Sequence, residues 1–186
     1  ISSDYVFDGK NSPYNENSRT NPLNYYGKTK LESENILRGS NREYLIIRTN
    51  VVYSANFKKY NNFVSWVYKN LKNKSEINVC TDQISNPTWT KTLIIAINQL
   101  LIFGAAGLYN FGSGDYLSRY DFAKQIAKIF KFDNSLINPI LTSEIKFIAE
   151  RPLNCGLTTD KITSETNVNV YDTEYILNTI YKQYYQ

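Results

Sequence analysis

The chain has 186 residues, 42% of them hydrophobic, and 21 Lys+Arg against 17 Asp+Glu leave a formal charge of +4. That is long enough for one substantial core, and its lysines are spread among Asn, Tyr and Glu rather than clustered, so nucleic acid is not the expected partner. There is no His, which removes Ser-His-Asp and Cys-His nucleophilic sites and most zinc sites, so no metal is expected and any general acid must be a carboxylate, Lys or Tyr.

"ISSDYVF" (1–7) reads as a short strand that Asp8-Gly9 ends. Residues 8–21 are polar and contain Pro13, so they read as a loop. "NPLNYYGKTKLESENILRG" reads as a helix with Asn21 as N-cap, Pro22 in the first turn and Gly39 as the stop. "YLIIRTNVVY" (44–53) is apolar on both faces at its start, as a buried parallel strand is. Residues 60–73 read as a helix, and "EINVC" (76–80) as a strand. A polar loop with Pro87 leads to a helix near 90–103, then to the strand "GLYNF" (107–111), a Gly-Ser-Gly loop and a helix near 118–131 that Ser118 and Asp121 cap. Residues 139–160 read as irregular, and a last helix spans about 172–184.

Strands alternating with helices predict an α/β fold with a largely parallel sheet. The longest apolar run, "LIIAINQLLIF" (93–103), is broken by Asn98 and Gln99 and is too short to span a bilayer. No basic-then-apolar leader opens the chain, and a cytoplasmic location is expected. Cys80 and Cys155 read as small buried residues. The chain starts at Ile1 and contains no Met, so a fragment is expected. "GSG" (112–114) lacks the third glycine of a dinucleotide turn and reads as a plain turn.

The first helix-forming stretch carries "YYGKTK" (25–30). At about 100° per residue, Leu23, Gly27, Leu31 and Leu37 share a sector, and Tyr26, Lys30 and Glu34 fall inside it. Tyr26 and Lys30 lie one turn apart. An ammonium beside a phenol favours the phenolate, which suits proton transfer in a chain without His. "YDFAK" repeats the pattern with Tyr120 and Lys124.

With "SSDYVFDG" ahead of "PLNYYGKTKLESE", the chain resembles the extended short-chain dehydrogenase/reductase family, in its dTDP-4-dehydrorhamnose reductase-like, sugar-nucleotide-binding branch. The resemblance continues in order through "RTNVVY" (48–53), "NNF" (61–63), "DQISNPTW" (82–89), "GLYNFGSGDYLSRYDFAKQI" (107–126) and "AERPLNCGLTTDK" (149–161). It implies part of a Rossmann-like, doubly wound parallel sheet plus a smaller C-terminal substrate-binding region. Residues 1–80 would be the C-terminal part of the Rossmann-like domain with the Ser/Tyr/Lys site. Residues 81–186 would be the substrate-binding region, with returns to the first part.

The activity implied is NADPH- or NADH-dependent reduction of the 4-keto group of a nucleotide-linked deoxysugar. Ser3 matches the hydroxyl that bonds the carbonyl oxygen. Tyr26 matches the general acid, and Lys30 the lysine that holds the nicotinamide ribose. Asp4, Tyr5, Val51, Asn62 and Arg151 match substrate-side positions, Arg151 suiting a diphosphate. The resemblance leaves room for a homodimer. It also demotes Tyr120 and Lys124 to a substrate-side helix.

Three departures stand out. The Gly-rich front of the family fold has no counterpart here, so this chain alone is expected neither to bind a dinucleotide tightly nor to turn over. Val51 stands where rhamnose-forming enzymes usually carry Trp, and Glu150 replaces a more usual basic residue. A related epimerase or dehydratase is one alternative, although a dehydratase wants an acidic pair where "SSDYV" offers Asp4 alone. A non-catalytic binding or regulatory relative is the other.

Overall fold

A computed structural model of the chain describes residues 1–57 and 61–185. The first strand, β1, is only Ser2–Ser3, and a 3-10 turn over Asp4–Val6 follows it. The strand expected through Phe7 stops early because Ser3 caps this turn: its Oγ accepts from the Tyr5 N–H, a local bond that competes with a strand ladder. Helix α1 (Tyr25–Arg38) is capped by Asn24, whose side chain accepts from the Gly27 N–H. Asn21, the cap expected from the sequence, is instead held in the loop, its N–H donating to the Val6 carbonyl and its Nδ2 to Asp8. Gly39 closes α1 as expected.

The single strand expected over 44–53 is two, β2 (Leu45–Thr49) and β3 (Val52–Tyr53), and Val51 between them has φ +43°. Helix α2 (Phe63–Lys72) is capped reciprocally by Asn62 and Ser65; residue 60, where the expected helix began, lies outside the described residues. Strand β4 (Ile77–Cys80) is followed by two short strands, β5 (Ile84–Ser85) and β6 (Thr88–Trp89). Then come α3 (Thr90–Ile102), β7 (Gly107–Asn110), β8 (Leu117–Ser118) and α4 (Arg119–Phe130). The stretch expected to be irregular contains β9 (Ile137–Ile140) and the start of α5 (Asp160–Glu165). The chain closes with α6 (Thr173–Tyr184).

The main sheet has the order β1-β2-β7 and is parallel throughout. Ser2 pairs with Arg48 and Ser3 with Thr49, so the C-terminal ends of β1 and β2 lie side by side. In open parallel sheets this is the end where ligands bind. Helix α3 buries Leu93, Ala96 and Leu100 against Ile47, Tyr109 and Phe111 of the sheet region. A second core joins α2, α4 and α6 to the parallel pair β4–β9, with Val67, Phe122, Ile126 and Leu177 inside. Two further pairs, β3–β6 and β5–β8, tie the halves together around Val51 and Ile84. No helix among the described residues is long and apolar enough to cross a membrane.

Candidate functional site

The site begins with how α1 is fixed to the sheet. Its buried residues are Gly27 and Glu34, and Leu37, placed on the buried sector by periodicity, is exposed. Glu34 is the reason that a weakly amphipathic helix docks. Its carboxylate takes two hydrogen bonds from Arg48 of β2, at 2.8 and 2.7 Å, and one from Ser2 Oγ of β1 at 2.6 Å. Both charged groups are fully buried. Burial pushes the Glu34 carboxyl up, but the bonds from Arg48 and Ser2 and the charges of Arg48 and Arg38 outweigh it and hold the carboxyl below its usual range.

Two turns towards the N-terminus, Gly27 meets the carbonyl oxygen of Tyr5 so closely that a Cβ there would overlap it. The absence of a side chain lets the helix ride on the turn after β1. This close approach sets the neighbouring residues. The Tyr26 and Tyr5 rings meet edge to face, 5.7 Å between centroids. Lys30 Nζ lies 5.7 Å from the Tyr26 ring centroid and donates to the carbonyl of Ile1 at 3.2 Å. Tyr26 is half exposed, and Lys30 is half-buried with two ammonium hydrogens beyond the one given to Ile1. A half-exposed phenol and an anchored ammonium one turn apart suit the hydroxyls of a cofactor ribose.

Ser3 and Asp4 lie just beneath. Ser3 Oγ donates to Asp4 Oδ1 at 2.9 Å. Asp4 is 4% exposed. Burial pushes its carboxyl up to about 7, against the pull of the Ser3 bond and of the Arg119 charge. Burial likewise raises the Tyr5 phenol, opposed by Arg151, and lowers the Arg119 guanidinium, opposed by Tyr5 and Asp4. Asp4, Tyr5, Val51 and Arg119 line one small cavity. Val51 reaches it from a left-handed backbone, which for a β-branched residue costs on the order of 1–3 kcal/mol. The strain is held from both sides. Asn50 donates to Asn86 and to the Cys155 carbonyl, and Thr88 N–H donates to the Val51 carbonyl.

Two clefts open from this centre. One, of about 470 Å³, runs between Tyr5, Tyr26 and the segment Lys146–Ala149. The other, of about 240 Å³, is lined by Phe63, Trp66, Gln83 and Arg119. Phe147 and Arg151 border both, with the Arg151 guanidinium 4.2 Å from the Phe147 ring centroid. Arg119 stacks 5.0 Å from the Phe63 centroid. Two guanidiniums among aromatic rings can meet a diphosphate and a planar base.

The fold thus brings Ser3, Asp4, Tyr5, Tyr26, Lys30, Val51 and Arg151 to one region. Asn62 is committed to capping α2, where its side chain accepts from the Ser65 N–H, and its neighbour Phe63 lines the cleft instead. Sequence reasoning placed Gly27 and Glu34 on the buried sector without naming what they touch, and it missed Arg119. Gly27 carried a signal as a glycine inside a helical pattern, and Glu34 as a charge on the buried sector; Arg119 carried none. Among the described residues no cluster of His, Cys, Asp or Glu could hold a metal ion.

Parallel strands, crossover helices and a cleft at their C-terminal ends define the class: an α/β protein of Rossmann-like fold. Residues 1–186 match the RmlD substrate binding domain, and the chain belongs to that family. A dTDP-4-dehydrorhamnose reductase of Aggregatibacter actinomycetemcomitans is 33% identical over 193 residues, covering 97% of this chain and 64% of that protein. Methionine adenosyltransferase 2 subunit beta of Bos taurus is 34% identical over 164 residues, covering 84% of this chain and 48% of that protein. The crystal structure of a Bacillus anthracis dTDP-4-dehydrorhamnose reductase in complex with NADP matches with a TM-score of 0.90 at 28% identity, covering 98% of this chain and 64% of that one. The chain therefore spans less than two thirds of the length of these relatives.

Proposed function

We propose that this chain carries the substrate side and the proton-delivery residues of an NAD(P)H-dependent, cytoplasmic reductase. Its substrate is the 4-keto group of a nucleotide-linked deoxysugar, of the dTDP-4-dehydrorhamnose type, in nucleotide-sugar or surface-polysaccharide biosynthesis. The observation that carries this reading is the anchoring of Lys30 Nζ on the Ile1 carbonyl, which joins the helix of Tyr26 and Lys30 to the strand of Ser3. A relative crystallised with NADP supports that cofactor.

In this reading residues 1–80 supply Ser3, Tyr26 and Lys30. Residues 81–186 supply Arg119 and Arg151 for the diphosphate and return β7 to the sheet. When bound, the nicotinamide cofactor supplies a hydride to the carbonyl carbon. Tyr26 gives its phenolic proton to the oxygen on which charge develops, and Ser3 offers that oxygen a hydrogen bond. Lys30 holds the ribose hydroxyls and adds a nearby positive charge. Tyr5 and Val51 shape the sugar end. The lone Asp4 beside Ser3 favours reduction over dehydration.

The test is Tyr26→Phe in the whole protein that carries this sequence, following cofactor oxidation with a dTDP-4-keto-6-deoxysugar. Loss of general acid catalysis lowers kcat by about 10²–10⁴-fold with KM little changed. A variant that keeps its rate refutes the acid assignment. A second reading, a non-catalytic binding subunit, draws on the likeness to methionine adenosyltransferase 2 subunit beta. It requires the folded, unmodified protein to oxidise no cofactor in the same assay.

A further inference from the structure

A serine hydroxyl has one hydrogen to give. Here Ser3 Oγ spends it on Asp4 Oδ1 at 2.9 Å, while a lone pair of the same oxygen takes the Tyr5 N–H at 3.3 Å. An ionised carboxylate can only accept. While Asp4 is charged, Ser3 therefore has no hydrogen left for a carbonyl oxygen. A neutral Asp4 can donate to Ser3 Oγ, which reverses the bond and frees the serine hydrogen.

We propose that Asp4 is a positioning residue that holds the hydrogen of Ser3 and releases it when an anionic ligand engages Arg119. The proposal rests on the keto-reductase reading of the same site, in which Ser3 must donate. Arg119 borders both spaces concerned: the small cavity with Asp4, and the cleft that it shares with Arg151. Its charge favours the ionised form of Asp4. A phosphate that pairs with Arg119 cancels that pull, and burial then shifts Asp4 further towards its protonated form, the proton coming from solvent. The proton is returned when the ligand leaves, and nothing is oxidised or reduced. The signal from the diphosphate end thus reaches the carbonyl end through one carboxyl group.

The other ionisable groups around Asp4 do not compete for this proton near neutrality. Tyr5 in the same turn and Cys155 on the returning segment are both pushed upwards, chiefly by burial. Helix α1 presents Gly27 and the Tyr26 ring to Tyr5. Arg151 acts on Tyr5 and on Arg119. The remaining polar groups lining the cavity, Gln83 and Ser85, do not titrate.

The experiment is a carbon-13 carboxyl NMR titration of this 186-residue chain, with the Asp4 signal assigned by its loss in Asp4→Asn. The expected midpoint of the free chain is about 7, and both Ser3→Ala and Arg119→Gln move it upwards. Saturating dTDP also moves it upwards. Calorimetry in two buffers of different ionisation enthalpy then reports proton uptake near pH 7, and this uptake is absent from the heat of dTDP binding to Asp4→Asn. A midpoint in the ordinary carboxylate range overturns the proposal. So does a midpoint unmoved by both variants, or dTDP binding with no change in the Asp4 signal. If dTDP fails to bind while both variants still shift the midpoint, the nucleotide-sugar reading fails and the Asp4–Ser3 coupling stands.

Discussion

Replacing Glu34 by Ala isolates what fixes α1 in place. In the protein, the Glu34 carboxylate is the buried counterion of Arg48, a residue only 1% exposed. One guanidinium nitrogen of Arg48, Nη1, already has no hydrogen-bond partner. Removing Glu34 strips partners from Nε and Nη2 as well, and from Ser2 Oγ, and leaves the charge buried. Breaking a buried pair in this way costs about 3–5 kcal/mol. The half-exposed Arg38 adds little to that figure. Against a total stability of about 5–15 kcal/mol this is a large fraction. For a chain of this size it lowers Tm by on the order of 6–20 °C. Urea and thermal unfolding followed by circular dichroism read the change. The double variant Glu34→Ala/Arg48→Met should recover most of the loss, because it removes the unpaired charge. A single variant within about 1 kcal/mol of the parent, or a double variant no better than the single, refutes the reasoning.

Gly27→Ala gains about 1 kcal/mol of helix propensity but forces a methyl into the Tyr5 carbonyl, so a net loss of about 1–2 kcal/mol is expected in urea unfolding; unchanged or raised stability refutes the close-approach argument. Asp4 gives a pH signature of definite sign. Its folded carboxyl, at about 7, lies above the unfolded value of 3.8, so the stability that it contributes is present below pH 3.8 and is lost as pH rises towards 7. The stability of the parent relative to Asp4→Asn therefore falls across this window, and a flat difference refutes the raised value. Glu34 has the opposite sign: its lowered carboxyl contributes stability above about pH 4.5 that is lost in more acid solution. If the proposed reduction is the activity of the whole protein, Tyr120→Phe leaves its rate unchanged where Tyr26→Phe lowers it; equal losses refute the choice between the two pairs.

The alternation of strands and helices, the ends of α3, α4 and α6, and the strand–helix pair bearing Ser3, Tyr26 and Lys30 are legible because each rests on local patterning. β9 is not, since "INPI" contains Pro139, which argues against a strand unless it lies at an edge. Among the described residues it pairs only with β4. α5 is too short for periodicity to register. The Glu34–Arg48 pair joins two elements through tertiary contact, and nothing in the spacing of a glutamate on a helix names its partner on a strand. Arg119 hides for the same reason. It is the first residue of α4, beside a cap that the sequence does announce, but its role comes from the cavity against which α4 packs.

The two Tyr-x-x-x-Lys pairs show how far a motif can go. In both, the lysine Nζ lies 5.7 Å from the centroid of the tyrosine ring, so helix geometry alone produces the contact wherever the spacing occurs. What separates the pairs is what the rest of the chain does around them. Tyr120 packs against the core of α2, α4 and α6. Tyr26 stands half exposed beside a cleft, next to a glycine that lets its helix touch the turn after β1, with its lysine tied to the strand of Ser3. What sets one of two identical pairs beside a cleft therefore lies less in the motif than in Gly27, Glu34 and Arg48, which fix α1 against β1, β2 and the turn after β1.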